Sequence, residues 1–163
     1  MSCGHQFIPG IFSCALFKSE PYVPVSIQIK GVCPLLSVFD MAASLAFYRD
    51  LLGFEIVQAA PPSAAADEFG WAWLRRGETE VMLNTQYDPD AVRPVERDAA
   101  RVAAHEDTVL YFGCPDVDGA YNHFRDRGCN VAPPKVTYYG MTQLYVKDPD
   151  GYSLCFQWQA HAQ

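Results

Sequence analysis

The side chains best equipped for chemistry in this sequence are six cysteines and four histidines. Cys155 stands in the stretch "KDPDGYSLCFQW", where Asp148-Pro149-Asp150-Gly151 reads as a tight turn and Tyr152–Trp158 as the strand that follows it. A cysteine so placed can ligate a metal, act as a nucleophile, or fill space as a small apolar group. Nucleophilic work needs a thiolate, and hence a cation or imidazole close by. Of the histidines, His5 and His161 lie near the ends of the chain, and His123 follows the apolar position Tyr121 by two and should face solvent. That leaves His105, on a long connection, as the one imidazole able to swing over a site.

The six cysteines (Cys3, Cys14, Cys33, Cys114, Cys129, Cys155) form no CxxC pair and no disulfide-like framework, so reduced thiols in a cytoplasmic protein are expected. With 163 residues, half of them apolar and 19% charged, the chain can bury a core. A formal charge of −7 argues against nucleic acid, since nothing could neutralise phosphates in number, and weakly favours a cationic ligand. No apolar run reaches the ~20 residues a membrane span needs, so no membrane partner is expected. Residues 1–24 carry three prolines and no period. Their apolar portion, 7–17, lacks the basic flank and cleavage site of an export signal and reads as part of an irregular extension.

The elements that would position these side chains occur twice. "DMAASLAFYRDLLGF" predicts a helix capped by Asp40, with a stripe of Met41, Leu45, Tyr48 and Leu52, ended by Gly53. "DVDGAYNHFRDRGCNV" predicts a second, capped by Asp116, with Val117, Tyr121 and Phe124 inward, ended by Gly128. Asp40 and Asp116, Leu45 and Tyr121, Tyr48 and Phe124, and the two Arg-Asp pairs at 49–50 and 125–126 all stand 76 residues apart, the mark of a duplication. An apolar strand precedes each helix, at 32–39 and 108–114, and a further strand and a hairpin follow. The hairpins turn at Gly77 and at the Asp-Pro-Asp-Gly run. The reading is α+β: two tandem βαβββ modules, residues 25–84 and 107–159, forming cup-shaped mixed sheets. A linker at 85–106 joins them, with a short helix near 96–104, long enough to be a flap or a crossover between partners.

Paired modules carrying "FDMAASLAFYRDLLGFE", "LRRGETEVMLN" and "YGMTQLYVKDPDGYSLCFQ" resemble the vicinal-oxygen-chelate superfamily of glyoxalases, extradiol dioxygenases, fosfomycin-resistance transferases and bleomycin-resistance proteins, over residues 27–159. The resemblance implies a ligand site inside the cups. In metal-dependent members it implies four inward ligands, usually His and Glu, which fall here on Cys33, Met82, Val109 and Cys155. None is His, Asp or Glu, and valine cannot ligate, so neither a metal nor another cofactor is expected and no catalytic residue is assigned. Two thiols and a thioether would suit a soft ion or an arsenical; buried packing is the simpler account.

An aromatic and neutral-polar cleft remains. Its candidates are Cys33, Trp73, Met82, Asn84, Val109, Tyr111, Tyr145 and Cys155, with Trp71, Trp158, Gln143, Gln157 and the loop residues Tyr138 and Tyr139 nearby. The resemblance to bleomycin-resistance members implies a homodimer that sequesters a small aromatic or cationic compound without a metal. A metal-dependent glyoxalase-like lyase, isomerase or dioxygenase is the alternative. Soft-metal or organoarsenical handling through Cys33, Met82 and Cys155 is a third.

Overall fold

A computed structural model describes residues 28–60, 70–85, 87 and 93–160. The chain divides into Met1–Val32 and Cys33–Gln163, and every element lies in the second unit. The expected N-terminal extension at 1–24 lies outside the described residues. Among the described residues no helix is long and apolar enough to cross a membrane.

The first module runs β1 (Leu35–Val38), α1 (Met41–Leu45), β2 (Glu55–Ala60), β3 (Trp71–Arg76) and β4 (Thr79–Thr85), in sheet order β1-β4-β3-β2. After α2 (Ala99–Ala104), the second runs β5 (Val109–Gly113), α3 (Val117–Asp126), β6 (Lys135–Val136), β7 (Met141–Lys147) and β8 (Ser153–Gln159), in order β5-β8-β7-β6. In each sheet the first strand pairs parallel to the last and the rest are antiparallel. These are the two βαβββ modules of the duplication, and the fold is α+β.

Both caps form as the sequence predicts. The Asp40 carboxylate accepts from the Ala43 amide at 3.2 Å, and that of Asp116 from the Gly119 amide at 2.7 Å. Gly53 and Gly128 end the helices with φ of 74° and 77°. The first helix departs from the expected α-helix: after Leu45 it widens into a π-helical turn over Ala46–Leu51. From cap to terminating glycine the first copy holds one residue more than the second, and the wide turn absorbs it. Phe47 and Tyr48, adjacent in sequence, are both buried as a result.

Strand alternation supplies the rest of the core. Leu36, Val38, Ala72, Leu74, Val81 and Leu83 of the first sheet join Leu144, Val146 and Leu154 of the second and the helix residues Leu45, Tyr48, Val117 and Phe124. The two helix-facing surfaces thus share a single core. β1 begins at Leu35, later than the run at 32–39 suggests, because Pro34 has no N–H for a ladder; its carbonyl still accepts from the Met82 amide at 2.8 Å.

The linker does not stand off as a flap over its described part. Residues 97–105 lie on the chain's own Asp148–Gly151 turn. Arg97 donates to the Pro149 carbonyl at 2.6 Å, and the His105 ring bonds the Asp150 carbonyl at 2.7 Å and stacks on Tyr152 with centroids 4.0 Å apart. His105 is thereby held on the turn instead of swinging over a cup. His123 does not face solvent either, because α3 packs beside the first helix and the imidazole reaches the Leu51 carbonyl at 2.9 Å.

Gly151 is where turn and linker meet, at φ 90°, and a Cβ there would lie 2.7 Å from the Val102 carbonyl oxygen. Gly151→Ala combines left-handed strain with a backbone clash and should cost about 2–3 kcal/mol. Urea unfolding checks this; Gly77→Ala, at φ 59° with open space around it, should cost less.

Candidate functional site

In each sheet, alternate strand residues turn away from the helices. On the second sheet this face carries Tyr111 of β5, Cys155 and Gln157 of β8, and Gln143 and Tyr145 of β7. Cys155 is the middle of a row, with Tyr111 beside it on one strand and Tyr145 on the other. It is fully buried, whereas Tyr111 is 56% and Tyr145 48% exposed. The thiol lies under a tyrosine pair whose rings open to solvent.

A continuous hydrogen-bonded array runs over this face. The Gln143 side-chain amide donates to the Tyr139 hydroxyl at 3.0 Å and to the Gln157 side-chain carbonyl at 2.7 Å. Its own carbonyl accepts from the Tyr145 hydroxyl at 3.2 Å, and the Tyr145 and Tyr111 oxygens lie 3.4 Å apart. The Tyr111 contact, then burial and the Cys155 thiol, hold the Tyr145 phenol well above its ordinary titration range. Burial pushes the Cys155 thiol up, and the hydrogen bond with Tyr145 offsets this only in part. At neutral pH the Tyr145 phenol and the Cys155 thiol therefore keep their protons. Among the described residues no cation acts on the Cys155 thiol to draw off its proton, so it is not equipped as a nucleophile. A cavity of 390 Å³ adjoins the array, lined by Ala132, Pro133, Lys135, Thr137, Gln143 and Tyr145.

The corresponding face of the first sheet carries Trp71, Trp73, Arg75, Glu80, Met82 and Asn84. Met82 pairs with Leu35 as Cys155 pairs with Tyr111, and Leu35 and Tyr111 are 76 residues apart, so Met82 is the duplicate of Cys155. Trp73 lies across from Met82, and Asn84 from Trp71. Arg75 holds Glu80 at 2.7 Å and covers the Trp73 ring at 5.1 Å. Among the described residues the buried Trp73 indole nitrogen has no hydrogen-bond partner. Cys33 precedes β1; burial, and then the charge of Glu80, push its thiol up.

The eight candidate residues are therefore divided between two faces. Tyr111, Tyr145 and Cys155 come together on the second sheet, with Val109 two positions before Tyr111; Trp73, Met82 and Asn84 come together on the first, with Cys33 outside its strand. No hydrogen bond, ion pair or ring contact among the described residues joins the two sets. The quartet of ligand positions does not fit a divalent metal. Val109 offers no donor, and among the described residues no three His, Cys, Asp or Glu side chains gather as a metal would require. Tyr139 is the participant that strand periodicity misses, since it lies in the loop before Gly140. Gln143 and Gln157 carry a signal, each standing two residues from a candidate on its own strand.

Solved structures share this architecture. The bleomycin resistance determinant encoded on transposon Tn5 superposes with a TM-score of 0.56 at 21% identity, covering 82% of this chain and all of that one. A lactoylglutathione lyase from Agrobacterium tumefaciens superposes at 0.57 with 21% identity, covering 80% of this chain and 94% of its own. A bleomycin-binding protein complexed with bleomycin gives 0.54 and 22%, with 79% and 98% covered. No curated protein matches the chain. The family model described as glyoxalase/bleomycin resistance protein/dioxygenase superfamily matches residues 30–156, which with the duplicated βαβββ fold makes this chain a member of that superfamily.

Proposed function

We propose that the protein binds a small aromatic molecule on the Tyr111–Tyr145–Cys155 face, without a metal and without covalent change to the ligand, in the manner of a sequestering protein. The observation that carries this reading is the hydrogen-bonded tyrosine–glutamine array on an open sheet face beside a 390 Å³ cavity. Such a face offers ring surfaces for stacking and a few fixed polar tips, which is what a flat ligand needs and what bond-breaking chemistry does not. The absence of a donor at Val109 supports binding over metal-assisted turnover. Half-exposed Tyr111 and Tyr145, with Leu35 at 54% on the corresponding face of the first sheet, suit closure of the cups by a second copy in a homodimer.

Thermal unfolding with a library of aromatic compounds, with and without chelator, tests the reading. A ligand at 100 times its Kd should add about 2.7 kcal/mol and raise the Tm by roughly 5–10 °C, unchanged by chelator. Stabilisation that chelator abolishes, or about one equivalent of tightly held divalent metal in the purified protein, would replace this reading with a metal-dependent enzyme.

A further inference from the structure

The hydrogen bonds of the open face have a fixed direction, and that direction selects a ligand. Gln143 is 93% buried, and its amide nitrogen spends both hydrogens, on Tyr139 and on Gln157. Its carbonyl takes the one hydroxyl hydrogen of Tyr145. With that hydrogen on Gln143, the Tyr145 oxygen meets its other neighbours, Tyr111 and the Cys155 thiol, as an acceptor, and the Tyr111 hydrogen is spent on it as well. At the other end the balance is opposite. Among the described residues Gln157 is engaged only through its side-chain carbonyl, which leaves both its N–H groups unspent, and the Tyr139 hydroxyl only as an acceptor, which leaves its O–H unspent. The Gln157 and Tyr139 end therefore presents donors.

The adjoining cavity repeats this preference in charge. Its lining of Ala132, Pro133, Lys135, Thr137, Gln143 and Tyr145 contains one ionic side chain, the ammonium of Lys135, and no carboxylate. A chain with a net charge of −7 has thus left a cationic group at this site. The volume of 390 Å³ admits a fused bicyclic ring system.

We infer that this face takes aromatic compounds bearing a hydrogen-bond-accepting oxygen, a carbonyl or carboxylate set against Gln157 and Tyr139, and discriminates against aromatic cations. The inference rests on the binding role proposed above and narrows it, setting aside the cationic ligand that net charge alone suggests.

Calorimetric titration of the full chain with coumarin, a neutral lactone, and with N-methylquinolinium, a cation of similar size, tests it. Coumarin should bind at least about tenfold more tightly, the worth of one good hydrogen bond. Gln157→Glu keeps an acceptor for the Gln143 amide but removes both free donors and adds negative charge. It should weaken coumarin about tenfold and tighten N-methylquinolinium. Tyr139→Phe, which deletes the free O–H together with the acceptor of one Gln143 amide hydrogen, should weaken coumarin and leave the cation unchanged. Equal or tighter binding of the cation by the unaltered chain, failure of coumarin to bind, or a coumarin affinity unmoved by both substitutions would each overturn the inference. In those cases the binding role itself survives if other aromatic compounds still stabilise the protein against heat; if no aromatic compound does, both fall.

Discussion

Replacing Asp150 with alanine is expected to remove about 3 kcal/mol of stability, the largest loss from any one polar side chain in the turn. Asp150 belongs to the second module but serves the first. One carboxylate oxygen accepts from the Phe39 amide at 2.9 Å, and the other from the Ser44 hydroxyl at 3.3 Å. Both bonds bridge more than a hundred residues of sequence, and the side chain is only 2% exposed. The second module's turn thus caps the strand-to-helix corner of the first. Alanine leaves an amide and a hydroxyl in that corner without partners, at about 1–3 kcal/mol each, partly relieved by water entering. Asparagine keeps an acceptor for Phe39 and offers Ser44 a donor in place of an acceptor, so Asp150→Asn should cost only about 1 kcal/mol. Urea unfolding at pH 7 on both variants checks the pair of values; equal losses would show that charge, not the two bonds, is what matters.

Asp148→Asn is expected to act in the opposite direction, stabilising the protein at neutral pH. The Asp148 carboxyl is pushed up to about 6, chiefly by burial, although Tyr48 and the amides of Asp150 and Tyr152 all donate to it. An aspartate in the unfolded chain titrates at 3.8, so the folded state holds this proton more tightly. Stability from this group is therefore full below the unfolded value and is lost as pH rises through about 6. The loss amounts to about 3 kcal/mol at neutral pH. Asparagine reproduces the protonated form: its oxygen serves the two amides and its nitrogen faces Tyr48. The stability difference between variant and parent should be near zero at pH 4, grow between pH 4 and pH 6, and level off above. A difference that does not vary with pH would place the titration elsewhere.

Much of the architecture was legible because it rests on local rules used twice. The caps at Asp40 and Asp116, the terminating glycines, the hairpin turns at Gly77 and Gly151, and the alternation that buries Leu144 and Val146 beneath Tyr145 are read within a few residues. The 76-residue offset carries the register of β1 and β5, and with it the correspondence of Met82 to Cys155. The presence of tyrosine, tryptophan and glutamine at outward strand positions was equally plain.

What one module offers the other was not. His123 looked solvent-facing because periodicity counts only the residue's own helix, and the Leu51 carbonyl that it meets is supplied by a neighbour 72 residues away. His105 looked free to swing because nothing local anchors it; the Asp150 carbonyl and the Tyr152 ring do. The widened turn at Ala46–Leu51 follows from one extra residue in the first copy, which spacing permits but only packing against a shared core requires. By itself the sequence determined two βαβββ modules and the chemical types of their open-face residues. Tertiary structure decided which of those side chains meet. It put Gln143 between Tyr145 and Gln157, sealed Cys155 beneath two tyrosines, and lodged two aspartates of one module in the corner of the other. Hydrogen-bond direction and burial depend on the distances between strands and helices, and a linear pattern does not contain them.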